Sequence, residues 1–294
     1  MAKPIVFLTG ATGTMGMESL KAMVKDLDLY DLRILAKTSE KKQNILAPYE
    51  KRDGLEICWG DLNDKSTLKK YVKDVSLILH VAAFVSPQAD YDPKKAMQVN
   101  YGGTKNMIEA LYELKQDQVT KFVYIGTVAE TGDRMPPIHW GRVGDPIKPS
   151  MFDYYAVSKV AAERYLIESR LKYWVSLRQT GIIGPAMSKI QDAILFHNCF
   201  DNVLEYVSDR DSGRAMKNLA AYDVKGTLDQ SFWNHIYNIG GGESCRVSAY
   251  EMYKESFGKL GITNPDYIFS PKEQAIRNFH GHFYEDSDKL ENYL

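Results

Sequence analysis

The sequence has few cysteines. Cys58, Cys199 and Cys245 stand far apart, their number is odd, and no CxxC pair occurs. They support neither a disulfide framework nor a zinc knuckle, and no metal site is expected. No run of 18 apolar residues is present, so no membrane span is expected. The first ten residues run straight into a strand-like segment, with no charged region leading a long apolar one. No signal peptide is therefore expected, and the expected compartment is a reducing cytoplasm. No block of five like charges appears, which excludes an acidic or basic tail. With 37 basic and 38 acidic residues the net charge is −1, without the basic face that a nucleic-acid partner needs. What is present is 294 residues, 44% hydrophobic, enough for a substantial core and for one large domain or up to two ordinary ones.

Short apolar runs alternate with helix-like stretches. Ile5–Thr9, Leu32–Ala36, Leu55–Trp59, Val75–Val81, Lys121–Ile125 and Tyr173–Gln179 read as strands, mostly apolar on both parities. That pattern belongs to strands covered on both faces by helices. Met15–Asp26, Asp64–Lys73, Pro93–Lys115 and Phe152–Leu171 read as the helices between them. The alternation implies an α/β fold, a doubly wound parallel sheet of the dinucleotide-binding (Rossmann) type with right-handed crossovers. After Gly184-Pro185 the rhythm loosens, and residues 186 to 235 resist decoding. Residues 1–184 are expected to form the dinucleotide-binding domain. Residues 185–294 are expected to form mainly a smaller α/β substrate lobe, with the part around 220–242, including strand-like His235–Ile239, returning to the sheet. Helix-like Val247–Leu260 follows.

The first strand runs into Thr9-Gly10-Ala11-Thr12-Gly13-Thr14-Met15-Gly16 and then a helix. Glycines at 10, 13 and 16 permit a tight turn and let backbone N–H groups approach a pyrophosphate at the helix N-terminus. A glycine triplet alone is a weak signal; the strand before it and the helix after it strengthen it. An NAD site also asks for a carboxylate at the end of the second strand. Lys37 stands there instead, with Thr38 and Ser39 beside it and Arg33 earlier in the strand. A cation with hydroxyls suits the 2′-phosphate of NADP, with NAD as the alternative. Asp61-Leu62 follows the third strand, where an adenine would lie, and Ala82-Ala83 closes the fourth, where small residues let a cofactor approach the backbone. His80 reads as a packed strand histidine rather than a catalyst.

Tyr-x-x-x-Lys places both side chains on one helix face about 6 Å apart. The pattern occurs four times, at Tyr91/Lys95, Tyr101/Lys105, Tyr155/Lys159 and Tyr250/Lys254. The first straddles Pro93, the second Gly102-Gly103, and the last lies beyond the sheet. Only Tyr155/Lys159 begins a long helix after the fifth strand. With these pieces in place, the chain resembles the extended short-chain dehydrogenase/reductase family, the group of NAD-dependent epimerases and dehydratases. The matching pieces run in order: Thr9-Gly10-x-x-Gly13-x-x-Gly16, Asp61-Leu62, His80-x-Ala82-Ala83, Asn100 within Val99-Asn100-Tyr101, Thr127, Tyr155-x-x-x-Lys159, Leu177-Arg178, Gly184-Pro185, Asp223-Val224 and Tyr237-Asn238-Ile239-Gly240.

The resemblance implies roles. Tyr155 would be the general acid/base at a substrate hydroxyl or carbonyl, and Lys159 would bind the nicotinamide ribose and lower the tyrosine pKa. Thr127 would hydrogen-bond the same substrate oxygen, and Asn100 joins the residues of the cofactor site. Bringing a tyrosine from a pKa near 10 to about 7 requires roughly 4 kcal/mol of phenolate stabilisation. A lysine one turn away and an oxidised nicotinamide ring are suited to supply it in a water-poor cleft.

Departures sharpen the reading. Val128-Ala129 stands where sugar 4,6-dehydratases place Asp-Glu, so that elimination chemistry is not expected. Gln179 follows Arg178 where proline is usual. The 133–151 loop, with Pro136-Pro137-Ile138-His139-Trp140, either shapes substrate selection or is a packed surface loop. His280-x-His282 lacks a third metal ligand nearby, and Cys245 is not read as a nucleophile. The expected function is hydride transfer between a nicotinamide dinucleotide and a small-molecule secondary alcohol or ketone. A nucleotide-sugar epimerase is the alternative, and a non-catalytic dinucleotide-binding protein the third reading. A homodimer through the helices at Pro93–Lys115 and Phe152–Leu171 is expected, as in the family it resembles.

Overall fold

The computed structural model describes residues 2–132, 140–185, 187, 192, 196–275 and 281–294. Its strands are β1 (Ile5–Thr9), β2 (Asp31–Ala36), β3 (Leu55–Trp59), β4 (Val75–His80), β5 (Lys121–Thr127), β6 (Trp140–Gly141), β7 (Trp174–Gln179), β8 (Gly181–Ile183), β9 (Val203–Ser208), β10 (His235–Ile239), β11 (Arg246–Ser248) and β12 (Phe283–Tyr284). Its α-helices are α1 (Thr14–Met23), α2 (Glu40–Leu46), α3 (Lys65–Val72), α4 (Gln88–Tyr91), α5 (Pro93–Ala96), α6 (Gly103–Glu113), α7 (Tyr154–Ile167), α8 (Asp209–Val224) and α9 (Ala249–Gly258).

Seven strands make the central sheet in the order β10-β7-β5-β4-β1-β2-β3. Every pairing in it is parallel. The strand order reverses between β1 and β4, so the crevice for a ligand opens there, beyond the carboxyl ends of the strands. Alternate residues of each strand feed two cores. Val6, Leu8, Ile34, Leu79 and Val175 pack with Leu20 and Met23 of α1 and Met216 and Leu219 of α8. Phe7, Ile78, Phe122 and Tyr124 pack with Leu68 of α3, Met107 and Leu111 of α6, and Leu166 of α7. Burying each large apolar side chain contributes roughly 1.5–3 kcal/mol, which is why strands apolar on both faces settle in the middle layer.

Two smaller sheets, β11-β9-β8 and β12-β6, lie outside this layer. A third cluster joins Ala249 and Tyr253 of α9 to Phe269, with Phe196 and Phe200 against them. Among the described residues no helix is long and apolar enough to cross a membrane.

The structure differs from the sequence reading at one long helix. The stretch expected to be continuous over Pro93–Lys115 is α5, a π-helical turn over Met97–Gly102, and α6. The wider turn carries Asn100, whose side chain ties three segments together as described below. Residues 133–139 and His280 lie outside the described residues, so the loop reading and the His280-x-His282 pair stand as sequence observations.

Candidate active site

A cavity of about 740 Å³ runs along the carboxyl ends of the sheet, from Gly10 and Lys37 at one end to Tyr155, Gln179 and Met187 at the other. Its floor is the loop between β1 and α1. Gly10 has φ +78, and a side-chain carbon there would lie 2.8 Å from the Ala82 backbone nitrogen. A side-chain carbon at Gly16 would collide with the Gly10 carbonyl. Both positions therefore need glycine for the loop to close onto the helix. Gly13 is the N-cap of α1, and no acidic residue stands in the first turn. The helix N-terminus thus presents free N–H groups and positive dipole to the cavity, the setting an anionic pyrophosphate requires. Gly10, Thr12, Gly13, Thr14, Met15, Gly16, Leu62, Ala82 and Ala83 all line the cavity.

Two cations stand at the end beyond β2. Lys37 lines the cavity and pairs with Asp61 at 2.8 Å. Asp61 also accepts the Asn63 N–H at 3.0 Å, and it is not part of the cavity lining. Burial opposes its ionisation, but Lys37 and the Asn63 N–H outweigh it and keep the carboxyl below the usual range. Lys42 of α2 joins the lining, and burial together with the neighbouring Lys37 lowers its pKa. Ser39 is used locally, as the cap that accepts the Lys42 N–H.

At the other end, β5 and α7 bring the expected trio together. Thr127 ends β5, and Tyr155 and Lys159 occupy the first turns of α7. Asp153 caps that helix by accepting the Ala156 N–H at 2.7 Å, and Asp90 accepts the Tyr155 N–H at 3.2 Å. Burial raises the Tyr155 phenol above its ordinary pKa, while the Thr127 hydroxyl hydrogen-bonds it and pulls the other way. Lys159 is buried, donates to the Ile125 carbonyl at 2.6 Å, and lies 4.1 Å from the Tyr124 ring centroid. Desolvation lowers its pKa to about 8, against the pull of Glu130 and Glu163. Tyr155 and Lys159 line the cavity; Thr127 stands behind them, 6% exposed.

Hydrogen bonds link the glycine loop to α7. Thr104 Oγ1 donates to the Asn100 carbonyl at 2.7 Å, so it must accept from His80 Nε2 at 3.1 Å. His80 Nδ1 then accepts from Thr9 Oγ1 at 2.9 Å, which in turn accepts the Ala82 N–H at 3.0 Å. Burial drives the His80 pKa down to about 3, so the ring is neutral. Asn100 accepts the Phe84 N–H at 2.7 Å and donates to the Phe84 carbonyl and to Ser158 Oγ. Ser158 donates to the Tyr155 carbonyl at 2.7 Å. Every polar atom of the Asn100 side chain is thus engaged within the protein, and Asn100 is not part of the cavity lining.

Behind Thr127 lies a buried charged cluster in which the sequence reading assigned no role to Glu130 or Glu163. Arg178 Nη2 and Nε reach Glu163 at 2.6 and 3.1 Å, and Ser176 adds a hydrogen bond at 2.6 Å. Burial works against ionisation of Glu163, but these donors hold its carboxyl below the usual range. Glu130 is fully buried, and burial, with Glu163 beside it, raises its pKa well above normal, against the pull of Arg178. Glu130 accepts the Thr127 N–H while Thr127 accepts the Ala129 N–H, a reciprocal pair that fixes the threonine. The Thr-x-x-Glu spacing marks Glu130 as a capping partner of Thr127, and only the fold shows its burial. Other wall residues include Phe84, Val85, Lys95, Val99, Ile182 and Met187.

The family model described as 3-beta hydroxysteroid dehydrogenase/isomerase matches residues 7–209. A UDP-N-acetylglucosamine 4,6-dehydratase (inverting) of Campylobacter jejuni is 29% identical over 112 residues, 38% of this chain and 33% of the relative. A 3 beta-hydroxysteroid dehydrogenase/Delta 5-->4-isomerase of Vaccinia virus is 26% identical over 193 residues, 60% of this chain and 52% of the relative. The chain thus spans a third to a half of the length of the curated relatives it matches. Among solved structures, the dTDP-glucose 4,6-dehydratase DesIV of Streptomyces venezuelae, with NAD and TYD bound, superposes with TM-score 0.76 at 18% identity, covering 98% of this chain and 90% of that one.

Proposed function

The chain belongs to the 3-beta hydroxysteroid dehydrogenase/isomerase family, within the extended short-chain dehydrogenase/reductases, and on that premise we propose that it is an NADP-dependent oxidoreductase acting on a secondary alcohol or its ketone. The observation that carries this reading is the meeting of Thr127, Tyr155 and Lys159 at one end of a cavity whose other end is a glycine loop at a helix N-terminus. When bound, the dinucleotide supplies the hydride acceptor or donor. The glycine loop would hold its pyrophosphate, and Lys37 and Lys42 would face its adenosine end, where two cations match a 2′-phosphate.

The other steps belong to side chains. In oxidation, the Tyr155 oxygen takes the substrate hydroxyl proton while the carbon gives up its hydride; in reduction, it returns that proton to the carbonyl oxygen. Thr127 holds the same oxygen. The Lys159 ammonium favours the phenolate through its charge, in a cleft where water is scarce. Val128 and Ala129 are buried and carry no proton-transfer group, which supports dehydrogenation rather than 4,6-dehydration. Phe84, Val85, Val99, Ile182 and Met187 line the cavity together with Lys95, and this mainly apolar set favours a substrate with an apolar ring skeleton over a sugar.

The test is redox balance at 340 nm. NADP and NAD are titrated first, with NADP expected to bind more tightly. Hydroxysteroids and nucleotide sugars are then offered with the dinucleotide. The reading expects one NADPH formed per ketone produced. A sugar inverted without net absorbance change would make the protein an epimerase.

A further inference from the structure

The wall of the cavity holds a polar group that the proposed chemistry does not use. Gln179 ends β7 and pairs directly with Thr127 across the β5–β7 ladder. It lines the cavity and is 8% exposed. Its Nε2 donates to the Thr180 carbonyl at 3.3 Å. A carbonyl only accepts, so the amide nitrogen is committed to that side. The amide oxygen, Oε1, is buried without a hydrogen-bond partner. Buried polar atoms in native proteins are nearly always satisfied, and one without a partner in a residue that lines a cavity points to a ligand donor that the side chain meets on binding.

Which donor it meets follows from the layout. The cavity runs from Lys37 and Lys42 past the Gly10–Gly16 loop to Lys159 and Gln179, so a dinucleotide held by its pyrophosphate on that loop, with its adenosine toward the two lysines, would have its nicotinamide end toward the tips of β5 and β7. Neighbouring strands lie about 4.8 Å apart, so Gln179 stands one strand from the threonine assigned above to the reacting oxygen. That oxygen is already served by Thr127 and Tyr155. The nicotinamide ring carbons offer no donor, whereas its carboxamide offers an N–H. We propose that Gln179 accepts a hydrogen bond from the nicotinamide carboxamide and so fixes the orientation of the ring over the substrate. The inference rests on the dinucleotide reading above. It gives a function to the glutamine that stands where the resembling family usually has proline.

The contact is tested by binding alone. Parent, Gln179→Leu and Gln179→Met are titrated with three ligands: NADP, its 3-acetylpyridine analogue, in which a methyl replaces the carboxamide nitrogen, and 2′-phospho-ADP-ribose, which lacks the ring. The parent is expected to prefer NADP over the analogue about tenfold, the size of one lost hydrogen bond. Both variants are expected to bind the two dinucleotides equally, within twofold, at the parent's affinity for the analogue. Their affinity for 2′-phospho-ADP-ribose should be unchanged. Retention of the preference in the variants overturns the proposal, as does a parent with no preference. A variant loss that extends to 2′-phospho-ADP-ribose also overturns it, because the wall itself would then be damaged. Failure of all three ligands to bind the parent would overturn the dinucleotide reading on which the inference rests.

Discussion

Lys159 has lost the hydration that keeps an ordinary lysine charged, and its neighbours only partly compensate. Burial lowers its pKa to about 8, while Glu130 and Glu163 pull it upward. The ammonium that favours the Tyr155 phenolate is therefore present below about pH 8 and lost above it. Tyr155 itself is held above its usual value by burial, so it adds no break in the same window. The phenolate–ammonium form that alcohol oxidation needs carries one proton fewer than the fully protonated pair, so the expected kcat/KM, which reports the free protein, rises with pH and levels off near pH 8. A profile with no break between pH 7 and 9 contradicts this role. The same group is linked to folding. Between about pH 8 and the ordinary lysine value the unfolded chain binds more protons, so Lys159's contribution to stability rises with pH across that window. At this scale the legible residues were those with a fixed spacing or a glycine requirement, such as Gly10, Gly16, Tyr155 and Lys159. The place of Lys42 in the site and the buried setting of Glu130 were not legible, because they arise from tertiary neighbours: Lys37 for one, Glu163 and Arg178 for the other.

The strands of the central sheet were legible as elements because parallel strands buried on both faces leave an apolar run that no surface segment imitates. Helix α8 was not, since its sequence opens Asp209-Arg210-Asp211-Ser212-Gly213 and its apolar stripe is short. Its one local signal was Ser208, whose side chain accepts the Asp211 N–H and starts the helix. The reason for that poor helix sequence is the close packing of α8 on α1. A side-chain carbon at Gly213 would lie 2.5 Å from the Glu18 backbone. Gly213→Ala should push the two helices apart and destabilise the fold by about 1–3 kcal/mol despite alanine's better helix propensity. Thermal unfolding should show a Tm several degrees lower. An unchanged or raised Tm would mean that the α1–α8 contact yields without strain. The π-helical turn at Met97–Gly102 was equally hidden, because it serves the side-chain bonds of Asn100 rather than local propensity.

The central parallel sheet could be anticipated from the alternation of strands and helices, whereas the two small sheets could not, and β10 takes its place beside β7 at the edge of the central one. The outward face of α7 carries Tyr154, Val157 and Ile167, 39%, 44% and 42% exposed, and Met97 is 36% exposed. We propose that these residues meet a second copy across a two-fold axis, with α6 and α7 forming the contact. Sedimentation at micromolar concentration should give about twice 33.4 kDa, and Val157→Arg should shift the mass toward the single chain. A parent that sediments as one chain rules this assembly out. The central claim concerns chemistry, and Tyr155→Phe tests it most directly, because it keeps the ring and removes only the oxygen that moves the proton. Hydride transfer is followed at 340 nm with the preferred dinucleotide, whose affinity is measured alongside. Dinucleotide binding should be retained, since Lys159 and the Gly10–Gly16 loop are intact, and turnover should fall by about two to four orders of magnitude. Turnover within threefold of the parent would place the acid/base elsewhere and contradict the assignment of α7 as the catalytic helix.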